Sequence, residues 1–361
     1  MATESELIQK RQEVKAEILA LKETIPSARI FNQLGKAFKQ NSFGYWLSNF
    51  ILLSLILLSP WIFIGLALKE IEKTIPVFVT GLATTEITVL GLVTAHIAVQ
   101  AILDDIASRI VEKISSVDDL SKILLWLKQT WSTQNVVTFV LPLCLFWTGL
   151  GIPSLSLPIH QFVGFGVSLT VFLVGLVGGM MFYAPLWASL LASSLKAYQY
   201  DLNTFSPANS EILSDISEML TKGMYMMAAY AAVLSLFFSS SLYDQKIKTF
   251  IFPVMAIGWI VILAQFLLTR FTLSEITNRA KWVTLNRIQK KINVLEATSD
   301  LSDKDTAERL FRLADIHKQI MASKTNTFDL KSVSTLFSQL MLPLLGLLLG
   351  NLDKILKLLS K

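Results

Sequence analysis

A series of long apolar runs limits the fold of this chain more than any other feature. Six of them lie near residues 46–68, 80–103, 134–152, 162–183, 223–242 and 250–268. A helix rises about 1.5 Å per residue, so about 20 apolar residues cross a hydrocarbon core about 30 Å thick. Only 16% of the 361 residues are charged, whereas soluble domains carry about 25%. The sequence therefore predicts an all-α integral membrane protein with six transmembrane helices.

The distribution of positive charge predicts how these helices are threaded. With the N-terminus in the cytosol, 25 Lys and Arg side chains fall in predicted cytosolic segments. Only four fall in the outer connections, at Lys69, Lys73, Lys246 and Lys248. Because cytosolic loops of membrane proteins are enriched in Lys and Arg, this bias predicts a multi-pass protein with a cytosolic N-terminus.

Two segments outside the transmembrane domain, which covers 46–270, are predicted to be cytosolic helices. Residues 1–45 form a helix and a linker, and the helix carries an apolar stripe of Leu7, Val14, Ile18, Leu21 and Ile25, interrupted by Arg11. Three heptads are too few for an autonomous coiled coil, which favours packing on the same chain over self-assembly. Residues 271–333 are predicted to form a helical hairpin.

The C-terminal segment, 334–361, begins with an apolar stretch and ends in the amphipathic sequence NLDKILKLLSK. Its apolar part has about 18 residues, which is borderline for spanning a bilayer. Crossing would also carry three lysines outside. The sequence favours an interfacial or re-entrant helix on the cytosolic side, where Lys354 and Lys357 meet anionic lipid. A seventh span is the alternative.

The second apolar run carries more polar groups than a membrane helix needs. Thr84, Thr88, Leu92, His96, Gln100 and Asp104 recur every four residues and share one stripe, while Glu86 and Thr94 lie on a second stripe. A carboxylate at membrane depth costs about 2.5–3.5 kcal/mol on insertion scales unless it meets water or a partner. The polar members are called the polar seam: Thr84, Glu86, Thr88, Thr94, His96, Gln100 and Asp104.

Two interpretations of the polar seam stay open. In the first, it lines a hydrated pore whose carboxylates favour cations, formed on the axis of a homo-oligomer because six spans enclose little room in one chain. In the second, it joins helices by hydrogen bonds, and nothing crosses the membrane. Asp104 and its neighbour Asp105, at the cytosolic end of the run, are expected to be solvated.

Local patterns predict three further details. Pro60 removes the helical donor to the Ile56 carbonyl, and the Ser59 hydroxyl is placed to compensate a carbonyl in that turn. Gly175 and Gly179 have the small-xxx-small spacing that lets another helix approach closely. Ser210 or Asn209 is expected to begin a helix.

Chemical motifs are missing from the sequence. It contains no phosphate-binding loop, dinucleotide fingerprint, zinc-protease motif or nucleophile elbow, so no enzyme, cofactor or metal site is predicted. A single Cys144 and three distant histidines offer no local metal motif. Basic and acidic residues are mixed along the tail, which gives nucleic-acid binding no support.

The leading functional hypothesis from the sequence is an oligomeric ion channel with a pore lined by the second span. The first alternative is a membrane-anchored scaffold or signalling subunit, whose cytosolic helices in 1–45 or 271–333 bind a protein partner. The second alternative is a secondary transporter. The absence of a clear inverted repeat with broken midplane helices counts against transport.

Overall fold

A computed structural model describes residues 4–34, 42–67, 71–154, 162–202, 210–239, 245–298, 304–322 and 330–350. Nearly all of these residues are helical. The helices are α1 (Glu4–Thr24), α2 (Pro26–Leu34), α3 (Ser42–Ala67), α4 (Ile71–Asp105), α5 (Val111–Lys113), α6 (Val117–Thr130), α7 (Thr133–Ser154), α8 (Phe162–Leu195), α9 (Glu211–Ser239), α10 (Gln245–Thr298), α11 (Lys304–Ala322) and α12 (Leu330–Gly350). A π-helical turn, Ile106–Ile110, joins α4 to α5.

Three of the described helical segments are long and apolar enough to cross a membrane: Thr85–Lys113, Ser168–Leu195 and Gly258–Ala297. Shorter apolar helical segments occur at Leu47–Pro60, Thr133–Leu145 and Ser334–Gly346. The chain is thus all-α in its described part and compatible with a multi-pass membrane protein. Six spans and their orientation stay predictions.

The Pro60 turn of α3 has the geometry that the sequence predicts. The Ser59 hydroxyl donates a hydrogen bond to the Ile56 carbonyl at 2.7 Å. This carbonyl has no helical donor, because the residue four positions on is proline. The compensation is confirmed, and α3 continues through the proline to Ala67.

At one end of the apolar helices lies a charged layer, made of α1, α2, residues 106–130, residues 196–202 and the first turns of α9. Its core joins three buried side chains of α1 to three of α6: Val14, Ile18 and Leu21, and Leu120, Ile123 and Leu127. Helix α1 therefore packs on its own chain, as the short heptad stripe favours. Arg11, the polar interruption, donates from Nη2 to the Ile114 carbonyl at 2.8 Å.

Main-chain hydrogen bonds hold the two loops of the charged layer together. Ser115 N–H donates to the Gln199 carbonyl at 3.0 Å, and Asp201 N–H donates to the Lys113 carbonyl at 2.9 Å. Gln199 N–H in turn donates to Asp119 Oδ2 at 2.9 Å. These bonds fix the ends of the helices that enter the layer. Helix α9 follows at Glu211, directly after Ser210, in line with the predicted helix start.

Helix α10 differs from the sequence prediction of a span followed by a separate cytosolic helix. It runs unbroken for 54 residues, about 80 Å at 1.5 Å per residue. No Gly or Pro occurs between Trp259 and Thr298, so nothing in the local sequence breaks the helix where the apolar part ends. Residues 271–298 and α11 are called the arm.

The arm is the predicted helical hairpin, with its first helix continuous with the sixth apolar run. Leu285, Ile288 and Ile292 of α10 are buried against Ile320 of α11. Lys281 Nζ also donates to the Met321 carbonyl at 2.7 Å. The two helices are therefore antiparallel, with the connection in residues 299–303 outside the described residues.

Helix α12 lies along α9. The Tyr225 and Ser338 hydroxyls are 2.9 Å apart, and Gly346 lies against the Ala232 main chain. Residue numbers rise in the same direction on both helices, so the two are parallel. The Ser334–Gly346 part of α12 is one of the shorter apolar segments, so both the interfacial helix and the seventh span stay predictions. The amphipathic end, 351–361, lies outside the described residues.

Candidate functional site at the polar seam of α4

The half of the polar seam that is predicted to be outer, from Thr84 to Thr88, faces α3. Glu86 Oε2 accepts a hydrogen bond from the Ser54 hydroxyl of α3 at 3.1 Å. Thr88 is 7% exposed, and Leu92 on the same stripe is buried in a cluster with Leu53 of α3. The side chain of Thr84 lies outside the described residues. This half of the seam is therefore part of a helix–helix contact within the chain.

The half that is predicted to be inner begins at His96, which is buried beneath α2. His96 Nδ1 is 2.9 Å from the Ser27 hydroxyl. The imidazole also lies against the Phe31 ring, with centroids 4.9 Å apart and planes inclined by 60°. Both partners come from the N-terminal segment, so α2 covers the position where the pore hypothesis needs a hydrated histidine.

Gln100 satisfies a carbonyl that a proline leaves without a donor. Its Nε2 donates to the Lys22 carbonyl at 3.0 Å. In a continuing helix, that carbonyl would accept from the residue four positions on, which is Pro26 and has no N–H. A buried carbonyl without a partner costs about 1–3 kcal/mol. The Gln100 amide therefore stabilises the α1–α2 turn against α4.

The two aspartates at the end of α4 are both ion-paired; Asp104 is still 51% exposed, as the expectation of solvation requires, whereas Asp105 is only 13% exposed and departs from it. Asp104 Oδ1 is 2.6 Å from Lys22 Nζ. Asp105 lies 3.6 Å from Arg109 and 3.4 Å from Lys222. Asp104 thus fixes the N-terminal segment, whereas Asp105 fixes the first part of α9.

Arg109 and Lys222 extend this ion-pair cluster. Arg109 lies 3.3 Å from Glu218 and 3.7 Å from Asp215, and Lys222 lies 2.9 Å from Glu218. The hydrogen bond and charge of Lys222, with the charge of Arg109, hold the pKa of the Glu218 carboxyl below its usual range. Because Arg109, Lys222 and Glu218 are exposed, each of their pairs contributes little alone, but the network links α4, the π-helical turn and α9.

Thr94 forms its hydrogen bond within α4. Its hydroxyl donates to the Leu90 carbonyl of α4 itself at 2.8 Å. Thr94 lines a cavity of about 20 Å³ between α4, α8 and α9, and His96 lines another of about 20 Å³. Each has room for about one water molecule. The exposed side of α4 carries Leu90 and Ile97 instead, at 42% and 39% exposure.

The described seam residues therefore have two sets of partners. The outer set meets α3 and the inner set meets the N-terminal segment, which sequence reasoning did not connect with α4. The missed seam partners are Lys22, Ser27 and Ser54, and the adjacent Asp105 meets Arg109 and Lys222. The sequence carried a signal for Lys22, because Pro26 leaves the Lys22 carbonyl without its helical donor. Nothing in the sequence says which group donates to that carbonyl instead.

The glycine pair of α8 lies against α7. A Cβ atom on Gly175 would come within 3.1 Å of the Cys144 sulfur, and one on Gly179 within 2.9 Å of Val140 Cγ1. Such distances are shorter than ordinary packing contacts. The close approach is therefore between α7 and α8, at two positions one helical turn apart.

Among the described residues, no group of three or more His, Cys, Asp or Glu side chains is arranged to hold a metal ion. No protein-family model, curated protein or solved structure matches the chain.

Proposed function

We propose that this chain is a membrane-anchored scaffold whose arm binds a protein partner in the cytosol. The observation that carries the proposal is the continuous helix α10, which extends the sixth apolar run into a hairpin with large apolar side chains in solvent. Trp282 and Val294 are 56% and 59% exposed, and Phe311 is 73% exposed. Aromatic side chains of this kind supply much of the binding energy in protein interfaces.

The small core of the arm supports the same proposal. Four side chains, Leu285, Ile288, Ile292 and Ile320, form its buried cluster. Helical hairpins derive most of their stability from packing, so a hairpin with this little core gains from burying its exposed apolar groups against another protein. The α10 helix gives the hairpin a rigid connection to the membrane.

The scaffold proposal is tested by cross-linking the full-length chain in its native membranes and measuring the mass of the purified complex. We expect added mass from a different protein, which the pair Trp282→Asp and Phe311→Asp removes. The pair Asn278→Asp and Asn286→Asp changes exposed polar positions and serves as the control. A chain that purifies alone, or only with copies of itself, would contradict the proposal.

An ion channel is the second candidate, supported by the Glu86 carboxylate inside an apolar helix. In this version the chain forms a homo-oligomer, and the N-terminal segment closes the inner end of the polar seam. Lys22→Glu would repel Asp104 and release that segment, raising the current of the reconstituted protein, and Glu86→Ala would lower it. If neither the natural chain nor Lys22→Glu carries current, the channel hypothesis is wrong.

A further inference from the structure

A groove between the two helices of the arm combines positive charge with an apolar floor. It has a volume of about 460 Å³ and is lined by Arg287, Lys290, Lys291, Val294, Leu295 and Leu313. The three cations follow one another on α10 at spacings of three or fewer residues. Val294 is more than half exposed, whereas Leu295 and Leu313 are half-buried. The groove therefore offers charge and apolar surface side by side.

The three groove cations differ from other basic residues of the arm. Arg279 pairs with Glu275, and Arg312 pairs with Glu308. Among the described ion pairs, none involves Arg287, Lys290 or Lys291. Like charges at i, i+3 and i, i+4 positions repel one another on a helix surface. A ligand with several carboxylates would remove that repulsion.

From these features we propose that the groove binds an acidic amphipathic helix of a partner protein, an inference that rests on the scaffold function proposed above. An amphipathic helix places its apolar side chains along one stripe, which fits Val294, Leu295 and Leu313. Carboxylates flanking that stripe meet Arg287, Lys290 and Lys291. A bidentate contact from Arg287 would fix the register.

The bilayer surface is a poorer occupant because of its distance. Lys290 follows Arg270, the first basic residue after the apolar part of α10, by twenty residues. Twenty residues extend about 30 Å along a helix, whereas the Debye length at physiological salt is about 8 Å. An average tilt of about 20° shortens that separation only slightly. Anionic lipid beside Arg270 is therefore screened from the groove.

A second copy of the arm is also a poorer occupant. In 271–297 and 304–322 together, nine Lys and Arg side chains stand against five Asp and Glu. Two arms brought together would place like net charges against each other, which disfavours association. An acidic segment from a different protein has the complementary sign.

The test uses the full-length chain in zwitterionic nanodiscs and a fluorescent peptide of about 20 residues, about 30 Å as a helix. The peptide carries one Leu stripe flanked by Glu, and its counterpart has Lys at every Glu position. We expect the acidic peptide to bind, with fluorescence anisotropy as the measurement. The variant Arg287→Glu, Lys290→Glu and Lys291→Glu should raise Kd by about tenfold or more.

A matched control carries the same charge change outside the groove, at Lys304→Glu, Arg309→Glu and Lys318→Glu. It should change Kd far less than the groove variant. If charge reversal unfolds the arm, as judged by circular dichroism, the corresponding Gln variants take its place, with a smaller rise in Kd expected. Equal binding of both peptides, or equal effects of the two triple variants, would overturn the inference.

Two further outcomes separate this inference from its rivals. An environment-sensitive dye at Ala297→Cys, in a Cys144→Ser background, should respond to the acidic peptide. A response to anionic nanodiscs without peptide would assign the groove to the membrane and overturn the inference. If the native complex survives the groove variant but not Trp282→Asp with Phe311→Asp, the scaffold function stands and the groove assignment fails.

Discussion

The side-chain amide of Gln100 in α4 donates to the main-chain carbonyl of Lys22 in α1 at 3.0 Å. The two residues are 78 positions apart, and Pro26 explains why the carbonyl is available. The bond places the N-terminal segment over the inner half of the polar seam. The same segment contributes Ser27 to His96 and the Lys22 ammonium to Asp104.

Gln100→Ala is expected to weaken the docking of the N-terminal segment. Loss of the amide leaves the Lys22 carbonyl without its donor, at a cost of about 1–3 kcal/mol. Hydrogen exchange of the full-length chain should show faster exchange in α1 and α2. Adding Pro26→Ala restores an N–H four residues after Lys22, so the double variant should lose less than Gln100→Ala alone. Unchanged protection in Gln100→Ala would contradict the role given to the amide.

Gly346→Ala is expected to force α12 away from α9. Its Cβ would overlap the Ala232 carbonyl oxygen, a main-chain atom that cannot rotate aside. Overpacking of this kind costs about 1–3 kcal/mol or more. The melting temperature in detergent should fall. Gly258→Ala is the matched control, because no atom lies within 4 Å of its added Cβ, and it should leave the melting temperature nearly unchanged.

Gly179→Ala is expected to destabilise the α7–α8 contact, and Val140→Ala is expected to relieve it. The added Cβ would meet Val140 Cγ1 at 2.9 Å, a methyl group that the second substitution removes. A double-mutant cycle on the melting temperature measures the coupling. Gly178→Ala, which has no atom within 4 Å, is the control. Additive effects of the two substitutions would show that α7 and α8 do not meet here.

The ion pair between Glu218 and Lys222 is expected to make stability fall in acid. The hydrogen bond and charge of Lys222 lower the pKa of Glu218 from 4.5. The stabilisation is therefore present above pH 4.5 and is lost as pH falls through the lower value in the folded chain. Glu218→Gln should reduce the fall of the melting temperature in acid. The pH dependence of the melting temperature near neutral pH should stay unchanged. If the melting temperature of Glu218→Gln falls in acid as much as that of the natural chain, Glu218 is not the source of the acid dependence.

The parallel packing of α12 on α9 predicts where the C-terminus lies. If α9 crosses the bilayer outward from Tyr225, α12 enters beside it in the same direction, and 351–361 emerges on the side opposite the arm. In a Cys144→Ser background, Lys361→Cys and Met321→Cys should react with an impermeant maleimide from opposite sides of sealed vesicles. Reaction of both cysteines from the same side would contradict a crossing by α12 and support the interfacial placement that the sequence favours.

Two prolines show how far local sequence reasoning reaches. Pro60 leaves the Ile56 carbonyl without its helical donor. The hydroxyl of Ser59, three residues away in the same helical turn, donates to it instead. Pro26 leaves the Lys22 carbonyl without a donor for the same reason, since proline has no N–H, yet the group that donates to it is Gln100 on another helix. The first compensation is predictable because helix geometry fixes the neighbours. The second depends on how two distant helices pack.

The sequence by itself determined the helical class, the apolar segments and the polar seam, because these follow from composition and from the 3.6-residue period of a helix. The tertiary structure decided what the seam meets. It places α3 against Glu86 and the N-terminal segment against His96, Gln100 and Asp104. Periodicity identifies one face of a helix, but the partner of that face is set by packing between segments far apart in the chain.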